Sequence, residues 1–249
     1  MGQNTSPYLY FQLESRPMYN LSQKLTAEFI GTFALVFFGE GAACVDMQLR
    51  SNATGGIGLP AVALAHGLAI AIMVCALGHV SGGHFNPAIT IGFWVTKRLS
   101  TLDTLFYWIA QVAGACAAAF LLRVIIPEET WRSVALGTPE LLRDFPSWAG
   151  LALEAATTFF LVFVVFATAV DERSSFRPVA GFAIGITIVL GIIVAGPYTG
   201  GALNPARAFG PALASRHWLN QLIYWVGPLG GGFLAGLLYD SVFLKPTEV

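Results

Sequence analysis

Apolar and polar residues along this chain are gathered into blocks rather than alternated at helical or strand spacing. Long apolar runs stand at Phe29–Val45, Ala61–Leu77, Leu105–Leu122, Leu151–Val170, Pro178–Ala195 and Leu222–Leu238. Each approaches the roughly 20 residues that carry a helix across a hydrocarbon core of about 30 Å. A soluble helical core would show a polar face along each run, and these runs have none. The pattern predicts an all-α membrane protein with six transmembrane helices. Composition agrees, with 55% of residues hydrophobic and 11% charged, against about 25% charged in soluble domains.

The chain also repeats itself. Ala27-Glu28-Phe29-Ile30-Gly31-Thr32-Phe33 is echoed by Leu153-Glu154-Ala155-Ala156-Thr157-Thr158-Phe159. Ser81-Gly82-Gly83-His84-Phe85-Asn86-Pro87-Ala88 is echoed by Thr199-Gly200-Gly201-Ala202-Leu203-Asn204-Pro205-Ala206. Each half holds three spans, with the Gly-Gly…Asn-Pro-Ala segment after the second. Three spans per half set the halves in opposite orientations, an inverted repeat about an axis in the membrane plane. The repeats are expected at 26–125 and 147–244, joined by an extracellular connection at 126–146, with tails at 1–25 and 245–249.

Asn is a strong helix cap, and Pro is favoured at the first helical position, where its missing N–H is not needed. The two Asn-Pro-Ala segments therefore predict short helices, at 86–96 and 204–214, each about half a membrane thick. The inverted repeat brings them in from opposite sides, so their positive N-terminal ends meet near the midplane. A cation or hydronium would meet an unfavourable field there. Asn86 and Asn204, their oxygens used as caps, would keep amide N–H groups free for water. Extended backbone at this depth is tolerated only beside water or inside protein. The carbonyls of Gly82, Gly83, His84, Gly200, Gly201 and Ala202 are thus expected to form a ladder of acceptors for single-file water.

These motifs, with Ala27–Phe33, Gly78-His79-Val80-Ser81-Gly82 and Asn204-Pro205-Ala206-Arg207-Ala208-Phe209-Gly210-Pro211, resemble the aquaporin, or major intrinsic protein, family from about Thr26 to Leu244. The resemblance implies a passive channel for water and small neutral solutes, assembled as a homotetramer in the bilayer. It also implies a four-residue constriction at His66, Ile192, Gly201 and Arg207, similar to that of plant tonoplast intrinsic proteins. Ammonia is then a further candidate solute, although region 124–148 lacks the histidine that the ammonia-conducting relatives carry there. Ala208 stands where glycerol facilitators typically place Asp, so a glycerol or small-solute facilitator is the alternative reading. Arg207 also stands out without any analogy: a guanidinium at membrane depth must face a cavity or a partner.

Glu28 and Glu154 are carboxylates inside spans. Either they hold the loops before the half-helices by accepting N–H groups, or they relay protons in a proton-coupled carrier. Their symmetric placement favours loop support, with His79 and His84 as braces of the first loop. The three cysteines share no metal-ligand spacing and read as buried free thiols. No nucleophile–base pair, P-loop or dinucleotide fingerprint is present, so neither an enzyme nor a cofactor is expected. A net charge of −1 without a basic stripe predicts no nucleic-acid partner. Seven basic residues in one set of connections against five in the other set both termini in the cytoplasm, in the plasma membrane.

Overall fold

The computed structural model describes residues 19–245; residues 1–18 and 246–249, which make up most of the two expected tails, lie outside the described residues. Among the described residues the regular structure is helical: α1 (Leu21–Ser51), α2 (Gly58–Ser81), α3 (Pro87–Val95), α4 (Thr101–Ile125), α5 (Glu128–Ser133), α6 (Ser147–Val165), α7 (Ala180–Thr199), α8 (Pro205–Ser215) and α9 (Gln221–Val242). Six of these, α1, α2, α4, α6, α7 and α9, are long and apolar enough to cross a membrane. A π-helical turn, Phe166–Val170, extends α6.

Local chemistry sets the ends. The Asn20 side chain accepts from the Gln23 N–H while the Gln23 side chain accepts from the Asn20 N–H, both at 2.9 Å. This capping box starts α1 at Leu21 and draws 21–25, assigned to a tail by their polarity, into the helix. Helices α2 and α7 both end on a left-handed glycine, Gly82 (φ 93°) and Gly200 (φ 81°), which turns the chain back into the protein.

In the first half α1 packs on α2 and α4; in the second, α6 packs on α7 and α9. The halves join through α2 and α7, α4 and α8, and α3 and α9; the backbones of α2 and α7 touch at Gly67 and Gly185, where a Cβ on either would strike the other's carbonyl. Such close packing through small residues is how helices associate where the hydrophobic effect cannot drive them together. Ile72, Ile109, Phe160, Leu190 and Leu222 point outward, as lipid-facing side chains should.

Two expectations need correction. Of the three free cysteines only Cys44 is buried; Cys116 is half-buried and Cys75 exposed, because a span can present an apolar thiol to lipid at little cost. The stretch 126–146 is more than a polar linker. It forms α5 and a tight turn through Leu136 (φ 54°) and Gly137 (φ 70°). Trp131 and Leu136 are buried in one cluster with Val36, Leu122 and Ala214, and the Leu142 N–H donates to the Tyr198 carbonyl at 2.7 Å. The segment therefore lies across one end of the bundle.

Candidate functional site

Helices α3 and α8, of 9 and 11 residues, extend about 14 and 17 Å and end inside the bundle. Asn86 Oδ1 accepts from the Ala88 N–H at 2.8 Å. Asn204 Oδ1 accepts from Ala206 at 3.0 Å and Arg207 at 3.3 Å. Pro87 and Pro205 fill the first helical positions, and both Asn-Pro-Ala triplets are buried.

The tips are tied to one another. Asn86 Nδ2 donates to the Leu203 carbonyl and Asn204 Nδ2 to the Phe85 carbonyl, each at 2.9 Å. This corrects the expectation of free amides: each spends one N–H on the opposite loop and keeps the second. The carbonyls reach across because Phe85 (φ 50°) and Leu203 (φ 53°) are held in the left-handed region. Bulky residues adopt that conformation at a cost of roughly 1–2 kcal/mol, and only where the surroundings over-determine it.

Two buried carboxylates impose it. Glu28 accepts from Ser81 Oγ (2.7 Å), Gln111 Nε2 (2.7 Å) and the N–H groups of His84 (3.0 Å) and Phe85 (2.6 Å). Glu154 accepts from Thr199 Oγ1 (2.6 Å) and the N–H groups of Ala202 and Leu203 (2.9 Å each). Tyr107 and Tyr224 hydroxyls donate to the Ser81 and Thr199 carbonyls at 2.8 and 2.9 Å. The set recurs position for position in both halves, apart from Gln111. Sequence reasoning did not single out Ser81, Thr199, Tyr107 or Gln111; their repeat spacing, and a glutamine in the middle of a span, were the available signals.

A narrow cavity of about 20 Å³ runs beside the tips, room for the centre of about one water. It is lined by Asn86, Asn204, His84, Ala202 and Leu203, by the apolar Leu35, Ile70, Ile89, Leu161 and Ile188, and by His66, Ile192 and Arg207. Of the six residues expected to form the ladder, His84 and Ala202 line this cavity. Gly83 and Gly201 are buried against their surroundings. A Cβ on Gly83 would come within 3.1 Å of Gly78 Cα, and one on Gly201 (φ 60°) within 3.0 Å of Ile192 Cα. His79 is exposed, its ring 5.8 Å from that of Tyr19, so it does not brace the loop. His84 is buried, within 3.2 Å of Thr90 Oγ1 and packed on Phe93.

Beside His66 and Arg207 the structure adds a residue that sequence reasoning missed. Glu40 of α1 is fully buried, its Oε1 3.1 Å from Arg207 Nε and 3.5 Å from His66 Nε2. His66 Nδ1 lies 2.9 Å from the Val62 carbonyl. A carbonyl only accepts, so Nδ1 carries a proton and Nε2 faces the carboxylate. The signal was present in the first apolar run, where an intramembrane carboxylate needs an explanation as much as Glu28 does. It was masked because the repeat holds no second copy: the matching position is Phe166.

A family model described as Major intrinsic protein matches residues 15–239. Aquaporin TIP2-1 of Arabidopsis thaliana is 42% identical over 224 residues, 89% of this chain and 88% of that protein. Aquaporin TIP2-2 of Zea mays is 43% identical over 222 residues, 88% of this chain and 86% of its own length. The X-ray structure of the aquaglyceroporin from Plasmodium falciparum superposes with a TM-score of 0.78 at 23% identity, covering 90% of this chain and 97% of that one.

Proposed function

The chain belongs to the major intrinsic protein family, whose members are passive channels for water or small solutes and not enzymes, and on that footing we propose that this channel conducts water while excluding ions and protons. The meeting of two half-helix tips beside a cavity with room for about one water carries the reading. Each helix N-terminus contributes about half a positive charge, so a cation is repelled where it has shed most of its hydration. The remaining N–H of Asn86 and of Asn204 would bond a passing water oxygen. That orients the molecule and interrupts a proton-relaying chain.

The constriction we assign is His66, Ile192, Gly201 and Arg207. Ile192 gives it an aliphatic wall. Gly201 adds no side chain, and its backbone lies against α7. That opening suits ammonia as a second solute, with glycerol and urea as further candidates. The proton-coupled alternative is disfavoured because both oxygens of Glu28 and of Glu154 are engaged by donors. Four copies assemble by the family resemblance. The relatives are of the TIP type, which speaks against the plasma membrane expected from the sequence and favours an internal membrane of tonoplast type.

Proteoliposome swelling by stopped flow, with water, glycerol, urea and ammonia, tests the reading. Linear water flux with low activation energy and no proton leak is the expected result; saturable flux that follows a pH gradient would replace the channel with a carrier. His66→Phe should narrow the opening, and unchanged solute selectivity would refute the assigned constriction.

A further inference from the structure

We propose that Glu40 is a fifth member of this constriction, a specificity-determining residue that draws the Arg207 guanidinium against α1 and cancels its charge. The proposal rests on the reading of His66, Ile192, Gly201 and Arg207 as the narrow point. Three observations carry it.

The first is the contact. Glu40 Oε1 lies 3.1 Å from Arg207 Nε and 3.5 Å from His66 Nε2, with the three side chains all but sealed from solvent. Buried charges persist only with a counter-charge. Among the described residues Glu40 is the one acidic side chain within ion-pair distance of Arg207.

The second is room made for the carboxylate. A Cβ on Gly39 would strike the His66 ring, and a Cβ on Gly137, in the segment crossing from the first half to the second, would strike the Glu40 carboxylate itself. Two elements distant in sequence thus leave space for one acid and its imidazole neighbour. Gly137 adopts φ 70° in doing so.

The third is asymmetry. The inverted repeat places Phe166 at the position matching Glu40, Ile89 at that matching Arg207 and Ile184 at that matching His66, and these three are buried and apolar. The charged trio thus has an apolar trio as its counterpart in the repeat. The acid, the guanidinium and the imidazole depart from the repeat together, as a functional set would.

A lone guanidinium would place a full positive charge at the narrow point and reach inward for water. Held by Glu40, Arg207 leaves a wider opening whose net charge is lower by one. Such an opening discriminates less against small polar neutral solutes, and it leaves more of the cation exclusion to the half-helix tips.

Glu40→Gln, Arg207→Ala and the double variant, reconstituted at matched amounts of folded protein, test this by K⁺ flux and by the ratio of solute flux to water flux. Arg207→Ala alone should raise K⁺ flux about tenfold or more, because an uncompensated carboxylate in a low-dielectric cleft concentrates cations. The double variant, lacking that charge, should lose the rise, whereas Glu40→Asp in the Arg207→Ala background should keep it. Glu40→Gln alone frees Arg207 and should lower the ratio for whichever of glycerol, urea and ammonia the native channel passes. The fall should be about fivefold, the worth of one net hydrogen bond. A purely structural Glu40 would lower all fluxes together and leave the ratios unchanged. The proposal is overturned if the K⁺ flux of Arg207→Ala persists in the double variant, or if Glu40→Gln leaves the ratios unchanged. If Arg207→Ala and His66→Phe alter no flux at all, the constriction reading itself fails.

Discussion

Replacing Glu154 by Gln separates the loop-anchoring role of this carboxylate from a proton relay. Native Glu154 accepts three bonds, two on Oε1 and one on Oε2. The amide keeps one acceptor and turns an NH₂ toward a backbone N–H, so one bond is lost and two donors face each other. A hydrogen bond to a charged acceptor is worth about 1.5–3 kcal/mol, and a stranded buried donor costs about 1–3 kcal/mol. The left-handed Leu203 then loses the bond that holds it against a strain of about 1–2 kcal/mol, and part of that strain is released. The net loss is about 2–5 kcal/mol. At the roughly 2–4 °C per kcal/mol of a chain this size, the melting temperature should fall by about 4–20 °C. Thermal unfolding in detergent and stopped-flow swelling of proteoliposomes measure the two consequences: lower stability, and lost water flux as the Asn204 tip is released. Glu28→Gln should be milder, because the Gln111 amide can turn its oxygen, which has no partner among the described residues, toward the new NH₂. A Glu154→Gln variant with native melting temperature and native water flux would refute the anchoring argument. One that melts normally but loses a response to a pH gradient would point to a relay instead.

Other expectations follow from single contacts. Gly39→Ala puts a methyl into the His66 ring; overpacking of this kind costs about 1–3 kcal/mol, and a melting temperature equal to that of the native protein would show that the ring is free to move. Gly201→Ala combines φ 60° with an approach of 3.0 Å to Ile192 Cα. Its strain of about 1–2 kcal/mol should appear as lower thermal stability together with reduced solute flux. At the other end of the bundle, Arg173 pairs with both Asp171 oxygens at 2.8–2.9 Å and holds that carboxyl well below the usual carboxylate range. A folded-state value below the unfolded value of about 3.9 contributes stability above that pH, which is lost as pH falls toward the folded value. Hydrogen exchange at 171–176, corrected for intrinsic rates, should therefore be unchanged between pH 7 and pH 5, and Asp171→Asn should loosen the segment at pH 7. Opening of the native loop within that window would contradict the assignment.

The six spans, the inverted repeat and the two half-helices could be read from residue order alone, because each depends on local chemistry. Apolar length decides whether a helix crosses a bilayer. Asn before Pro starts a helix wherever it stands, and the Gly-Gly pairs at 82–83 and 200–201 announce a turn. Arg207 announced its need for a cavity or a partner by its cost at that depth. The identity of the partner was decided by folding, since Glu40 meets Arg207 only when α1 and α8 are packed against each other. The same holds for the crossed bonds from Asn86 to Leu203 and from Asn204 to Phe85, which use N–H groups that residue order alone leaves free for water. It also holds for Gly201, whose backbone lies against Ile192 of α7: how closely two backbones approach is decided by packing. Local chemistry states which groups must be satisfied, and only the packed structure decides which groups satisfy them.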